Sequence, residues 1–290
     1  MTARDPDLTD LPSAAEAAAV RLVALDMDGT LLDADHEVHA SFWPVADALE
    51  RRGVVMCAAS GRQLQTLEQM FGERAGRMVL IAENGANVVH HGSRVSTSLV
   101  ARDAVVRAVE AVRALAADGE PVGTVLSGVR GAYVERHDDA FLGTVGRYYA
   151  RLERVEDLLA VADDALKVAV HHEVQVADRV HPALLPLAPE HTVVLSGTHW
   201  VDVMARDTDK GVALRRTQAA LGVDPAQTAA FGDHLNDVEM LQASGISFAM
   251  AGAHPDLAAV ARFVAPPHTA NGVTRVLAAM FGLQEHLGRP

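Results

Sequence analysis

The segment RLVALD (21–26) is an almost unbroken aliphatic run without polar alternation, the pattern of a strand buried on both faces of a parallel sheet. It stops abruptly at DMDGT. A helical stretch over 39–52 leads to Gly53 and a second buried run, VVMCAAS (54–60), after which SGRQLQTLEQMFG (60–72) predicts another helix. A third apolar run, MVLIAENGA (78–86), ends in an Asn-Gly turn signal, and VVHHGSRVSTS (88–98) predicts a hairpin around Gly92. Strand and helix alternate, which implies an α/β sheet with right-handed crossovers.

Between 100 and 204 the texture changes. An amphipathic helix is predicted at 102–117, followed by short strand-like runs (PVGTVLS, GAYVERH, ALKVAVHHE, HTVVLSG, HWVDVMA) mixed with helical stretches. From 205 the first texture returns, with DTDKGVALRRTQAALG as a helix stopped by Gly222, TAAFGD as a buried strand and NDVEMLQAS as a helix. The expected architecture is therefore α/β: a Rossmann-like parallel-sheet core built from 19–99 and 205–290, with an α+β domain, 100–204, inserted into it. Residues 1–18 are expected to be a disordered tail. No internal repeat interrupts this plan.

The length of 290 residues exceeds the usual single-domain size of about 100 to 150, and an apolar content of 49% can fill two cores. With 25 basic against 38 acidic residues, the net charge of −13 repels polyanions, which argues against nucleic acid and anionic membranes as partners. Aromatic residues, at 4%, are too few to interleave with basic ones as stacking platforms. The single cysteine, Cys57, lies in an apolar run where a reduced thiol is expected, and the acidic N-terminus lacks the apolar region of a signal peptide. No run of 18 apolar residues is present to span a membrane. A cytoplasmic location follows as an expectation, and the sequence assigns no oligomeric state.

Candidate chemistry gathers at the ends of these elements, where open parallel sheets bind ligands. Asp26 and Asp28 end the first strand, Ser60 ends the second, Lys210 opens a helix, and Asp233, Asn236 and Asp237 follow TAAFG. Each has an ordinary alternative. Ser60 with Gln63, and Asn236 with Glu239, match capping boxes. Asp26 and Asp28 could be turn carboxylates, or could open a calcium loop with Glu37 at position 12, but Leu31 stands where such a loop needs glycine. Lys210 opposes the helix dipole and calls for an anion, which either nearby Asp207 and Asp209 or a bound phosphate could supply.

Taken together, these residues are what phosphoryl transfer requires. Clustered carboxylates recruit a hard divalent cation such as Mg²⁺. Asp26 is then placed to attack phosphorus in line and form an acyl phosphate, and Asp28 to donate a proton to the leaving alkoxide and later take one from water. Lys210 acts as a point charge, while the Ser60 hydroxyl and the N–H groups of Met27 and Gly61 can donate to the transferring oxygens. The pairs His90–His91 and His171–His172 lack HExxH spacing, so zinc ligation is not assigned to them.

The ordered set DMDGT (26–30), SGR (60–62), DKG (209–211) and GDHLND (232–237) resembles the four motifs of the haloacid dehalogenase-like (HAD) hydrolases. ENGA (83–86), the insertion between the second and third motifs, and SGTHWVDVM (196–204) resemble the Cof-type phosphatases, which carry a large C2-type α/β cap. The likeness covers nearly everything after residue 20. It implies Asp26 as nucleophile and magnesium ligand, Asp28 as acid/base and as a ligand through its main-chain carbonyl, and Asp233 as a further ligand. It also implies Asn236 and Lys210 as phosphate-holding residues, with Thr30 and Asp237 in the outer shell. Serine replaces the more usual threonine of the second motif and keeps its hydroxyl. AMAGAHP (249–255) departs from the pattern, since relatives commonly carry asparagine at Gly252 or its neighbour.

The function implied is Mg²⁺-dependent hydrolysis of a small phosphorylated metabolite. Sugar phosphates are expected, or cofactor phosphates such as flavin mononucleotide and pyridoxal phosphate, with an aspartyl-phosphate intermediate. The alternatives are a sugar phosphomutase on the same core and a low-turnover phosphate-sensing regulatory protein. Two linkers, near 99 and 205, suggest a cap that closes over the site.

Overall fold

Leu22–Asp26 forms strand β1 with all five residues buried, as an apolar run without alternation requires. The other strands follow in chain order as β2 (Val55–Ala59), β3 (Val79–Ala82), β4 (Asn87–His90), β5 (Ser93–Thr97), β6 (Val122–Gly128), β7 (Ala132–Val134), β8 (Leu152–Arg154), β9 (Ala165–His172), β10 (His191–Gly197), β11 (Trp200–Ala205), β12 (Thr228–Gly232), β13 (Ile246–Met250) and β14 (Phe263–Ala265). The computed structural model describes residues 8, 10–188 and 190–287. Its contacts divide into two compact units, one of 1–60, 76–79 and 210–290, the other of 61–75 and 80–209. The division falls inside β3.

In the first unit β14, β13, β12, β1 and β2 lie side by side in that order, all parallel. Leu25 of β1 is level with Ala58 of β2 and Phe231 of β12, so three strands end together and their following loops leave one edge of the sheet. That register is what gathers the residues after Asp26, Ala59 and Gly232. Phe231 stacks on Phe248 at 4.5 Å between ring centroids, and Phe263 follows at 5.2 Å, tying β12, β13 and β14 on one face. Helix Phe42–Arg51 buries Phe42, Val45, Ala46, Ala48 and Leu49 along one stripe. Helix Lys210–Leu221 ends where Gly222 turns left-handed, at φ +64°. Cys57 is buried in β2, and burial pushes its thiol up, away from reactivity.

The expected disordered tail needs correction. Positions 1–7 and 9 lie outside the described residues, but Ala14–Ala19 is a helix. Six residues are too few to hold a helix alone. Here Ser13 and Glu16 form a capping box, with Ser13 N–H donating to Glu16 Oε2 at 2.9 Å, and Arg262 reaches Glu16 Oε1 at 2.7 Å.

In the second unit β4 and β5 form the hairpin, turning through His91 (φ +51°) and Gly92 (φ +69°) as a two-residue connection of this hand requires. A six-stranded sheet runs in the order β10, β11, β9, β6, β7, β8, antiparallel except for the β7–β8 pair. Helix Arg102–Ala117 buries Ala104, Val105, Ala108, Val109 and Val112 in a core shared with Val168, Val170, Val201 and Val203. Phe141, Val145 and Tyr149 pack with Val125 and Ala169 in a second cluster. This unit also takes in 61–75 and 80–99, and side-chain hydrogen bonds show why: Gln63 pairs with Arg151, Thr66 with Tyr148 and Asn84 with Asp202. Among the described residues no helix is long and apolar enough to cross a membrane.

Candidate active site

The first unit builds the site from the turn that follows β1. Met27–Leu31 form one wide turn, closed by the Leu32 N–H donating to the Met27 carbonyl at 2.9 Å. Its interior is not regular helix, because Asp28 is extended (φ −76°, ψ 121°) and Gly29 is left-handed (φ +82°). Gly29 is required here on two grounds: its backbone conformation, and a Cβ that would stand 2.3 Å from Asp233 Oδ2. Met27 is buried. Thr30 is buried too, and its hydroxyl has no hydrogen-bond partner among the described residues.

Lys210 opens its helix with the ammonium fully enclosed. It donates to Asp26 Oδ1 at 2.5 Å and to Asp237 Oδ1 at 2.7 Å. The anion that its position calls for thus comes from 184 and 27 residues away in the chain. Asp237 uses its other oxygen to accept the N–H groups of Asp233, at 3.1 Å, and His234, at 3.3 Å. This carboxylate fixes the lysine and the loop after β12 at once. Gly232 permits the approach, since a Cβ there would lie 2.6 Å from that of Asp237.

One oxygen from each of Asp26, Asp233 and Asp237 lies within 4.8 Å of the others. Within this set three carboxylates meet the Lys210 ammonium, so when fully ionised the four side chains carry two net negative charges. The strain appears in the protonation equilibria. Burial, reinforced by Asp237, pushes the Asp26 carboxyl well above the usual range, with Lys210 opposing. Burial and Asp237 likewise raise Asp233 to about 6. Burial alone would lower Lys210, but Asp237 and Asp26 outweigh it and raise the ammonium above its ordinary value. A donor set of carboxylate oxygens without histidine or cysteine suits a hard divalent cation, and Mg²⁺ fits both the chemistry and the missing charge.

The remaining expected residues are placed as follows. Ser60 is buried directly after β2, and Gly61 follows it as the first residue counted with the second unit. Asn236 sits half-buried in the short turn Leu235–Asp237. Neither residue is a helix cap: Gln63 precedes helix Leu64–Phe71 and gives its side chain to the Arg151 backbone, while helix Val238–Gln242 has no side-chain cap bond. Asp28 keeps its carboxyl partly open, and His36 Nδ1 lies 3.2 Å from its Oδ1. His36 is a residue that sequence pattern did not single out, since an eight-residue separation across an irregular turn leaves no periodic trace.

The sequence profile of the haloacid dehalogenase-like hydrolases matches residues 23–277. The chain is 30% identical over 262 residues to the 5-amino-6-(5-phospho-D-ribitylamino)uracil phosphatase YbjI of Escherichia coli K12, covering 89% of this chain and 95% of that one. It is 30% identical over 247 residues to the HMP-PP phosphatase of Cronobacter sakazakii, covering 82% and 87%. Among solved structures, SMU.1108c from Streptococcus mutans UA159 superposes with a TM-score of 0.82 at 21% identity, covering 91% of this chain and 99% of that one. The last shows a shared fold.

Proposed function

Because the chain belongs to the haloacid dehalogenase-like hydrolase family and its relatives are phosphatases, we propose that this phosphoric monoester hydrolase acts on small phosphorylated metabolites with Mg²⁺, through a phosphorylated Asp26. One observation carries the reading: a single buried ammonium, Lys210, ties the carboxylate at the end of β1 to Asp237, with Asp233 beside them.

Asp26 would act as nucleophile. Its Oδ1 is held by Lys210, which leaves Oδ2 to attack phosphorus, and the fixed ammonium limits the reorientation needed to reach the reacting geometry. Asp28 would protonate the leaving alkoxide as the ester P–O bond breaks. It would then take a proton from the water that attacks the acyl phosphate, releasing inorganic phosphate and restoring the Asp26 carboxylate. The Ser60 hydroxyl, the Met27 and Gly61 N–H groups, Asn236 and Lys210 would receive the phosphoryl oxygens. Asp237 and Thr30 would support from behind, the first by fixing Lys210 and the loop at 233–234. Mg²⁺, held by the Asp26 and Asp233 carboxylates and the Asp28 main-chain carbonyl, would supply the positive charge that this cluster lacks.

Residues 100–204 would serve as a cap that closes over the bound substrate, with 19–99 and 205–290 as the catalytic core, in the cytoplasm. The substrates of the two relatives, a ribitylaminouracil phosphate and HMP-PP, join sugar phosphates, flavin mononucleotide and pyridoxal phosphate as the first compounds to try. The test is multiple-turnover release of inorganic phosphate from such a panel by the purified full chain. The expected result is turnover with Mg²⁺ that stops on chelation and in a folded Asp26→Asn variant. Turnover that survives Asp26→Asn would overturn the assignment of the nucleophile, and no release from any compound would overturn the activity.

A further inference from the structure

We propose that His36 is a positioning residue for Asp28, holding one carboxyl oxygen so that the proton sits on the other, toward the leaving group. This inference rests on the reading of Asp28 as proton donor and acceptor. The bond that suggests it, 3.2 Å from Nδ1 to Oδ1, joins side chains that are 55% and 36% exposed. An ion pair so open contributes little to stability. Yet the chain goes to some length to place the ring.

His36 is left-handed at φ +60°, a conformation that disfavours a residue with a Cβ. A small hairpin holds it there. Leu32 bridges Val38, the Asp33 N–H donates to the Glu37 carbonyl at 2.9 Å, and the His36 N–H donates to the Asp33 carbonyl at 3.1 Å. The Asp33 side chain closes the loop by accepting the N–H groups of Asp35, at 2.9 Å, and Glu37, at 3.0 Å. Five hydrogen-bonding or bridging contacts thus direct one strained residue back toward the acid/base.

The chemical need is plain. A carboxylic acid can carry its proton on either oxygen, and only one of the two presents it in the productive direction. An imidazole that donates Nδ1–H to Oδ1 settles which oxygen that is. Oδ1 becomes the accepting oxygen and the acidic proton resides on Oδ2. The same bond strengthens when Asp28 becomes a carboxylate, which it does on giving its proton to the leaving group.

The test compares kcat/KM of the full-length protein for two substrates. One is an alkyl phosphate, whose leaving oxygen needs a proton. The other is p-nitrophenyl phosphate, whose leaving oxygen does not. For His36→Ala we expect about a tenfold loss on the alkyl phosphate, a fraction of what a general acid contributes, and less than about a twofold loss on the aryl phosphate. His36→Asn, whose amide nitrogen can take the place of Nδ1, should restore the alkyl rate to within about threefold of wild type. His36→Gly relieves the backbone without restoring a donor and should behave as His36→Ala. The thermal midpoint of His36→Ala should match wild type, and those of the asparagine and glycine variants should be no lower. Equal losses on both substrates, full alkyl activity in His36→Ala, or rescue by glycine would each overturn the role of the ring while leaving the phosphatase reading intact. Absence of turnover in the wild-type protein would instead overturn that reading, and this one with it.

Discussion

Gly29 and Asp233 meet so closely that a methyl group on the first would lie 2.3 Å from Oδ2 of the second. The turn after β1 and the loop after β12 are therefore fitted to each other at a carboxylate that would hold the cation. Gly29→Ala meets two obstacles: a left-handed φ of +82°, which costs a residue with a Cβ about 1–2 kcal/mol, and the carboxylate itself. Asp233 must shift. Displacing a ligand or its support lowers metal affinity about 10- to 100-fold, so the Mg²⁺ concentration for half-maximal activity should rise by that order. Mg²⁺-dependent thermal stabilisation should weaken in parallel, and an unchanged Mg²⁺ titration by both measures would count against Asp233 as a ligand.

Lys210→Met keeps the volume of the side chain and removes its charge. Two buried carboxylates, Asp26 and Asp237, then lose their common partner, and breaking a buried pair in this way costs about 3–5 kcal/mol. Denaturant unfolding without divalent cations should show that loss, and added Mg²⁺ should recover part of it. The sign of the pH dependence follows from the raised Lys210 value. The lysine's contribution is fully present below the unfolded value of about 10.4 and is lost as pH climbs through the higher folded value. The gap between wild type and variant should therefore persist at neutral pH and narrow on this account only in strong alkali.

The buried strands of the first unit were legible because a double-sided parallel strand leaves a run such as LVALD, and the motif residues were legible because they stand at the ends of those runs. Their partners were not. Lys210 needed an anion on dipole grounds alone, but no local rule points to Asp26 or Asp237, which reach it through strand register. Ser60 and Gln63 fit a capping box by spacing, yet the glutamine amide is drawn away by the Arg151 backbone, a contact 88 residues distant. Strand β8, Leu152–Arg154, carries no alternation because two of its three residues are exposed at a sheet edge. The helix at Ala14–Ala19 did leave a signal, Ser13 three residues before Glu16, which the surrounding alanine-rich composition masked.

The second unit encloses an ionic cluster of its own. Lys167, 2% exposed, lies 2.9 Å from Glu83 Oε2 and 3.5 Å from Asp202 Oδ2, and donates to the Gly61 carbonyl at 2.7 Å. The Ser127 hydroxyl donates to Glu83 Oε1, and the Asn84 amide to Asp202. Burial would lower the lysine, but Asp202 and Glu83 carry it well above its ordinary value. Glu83 and Asn84 are both left-handed at φ +52°, so the cluster also holds a strained turn in place. Lys167→Met should destabilise the protein by about 3–5 kcal/mol in denaturant unfolding. Adding Glu83→Gln should give back part of the loss, with a coupling of about 0.5–3 kcal/mol in the double-mutant cycle. Strict additivity would mean that the two side chains do not act as a pair.

His171 provides a pH readout within the second unit. Its ring lies 4.9 Å from that of Trp200 and 6.2 Å from that of Phe141, and its buried Nδ1 has no hydrogen-bond partner among the described residues. Burial, with His199 adding to it, lowers its pKa to about 4. In the unfolded chain the group titrates near its ordinary value of about 6.5, so below that pH the unfolded state takes up a proton that the folded state refuses. This depresses stability as pH falls from about 6.5 toward 4, and the penalty stops growing once the folded ring is also protonated. His171→Phe keeps a ring against Trp200 and cannot titrate. Between pH 6.5 and 4 the wild-type midpoint, followed by tryptophan fluorescence, should therefore fall more steeply than that of the variant, while above that window the two should run parallel. Because both proteins share every other titrating group, the difference between their slopes isolates this ring, and identical slopes through the acid window would show that the folded pocket accepts the proton as readily as water does.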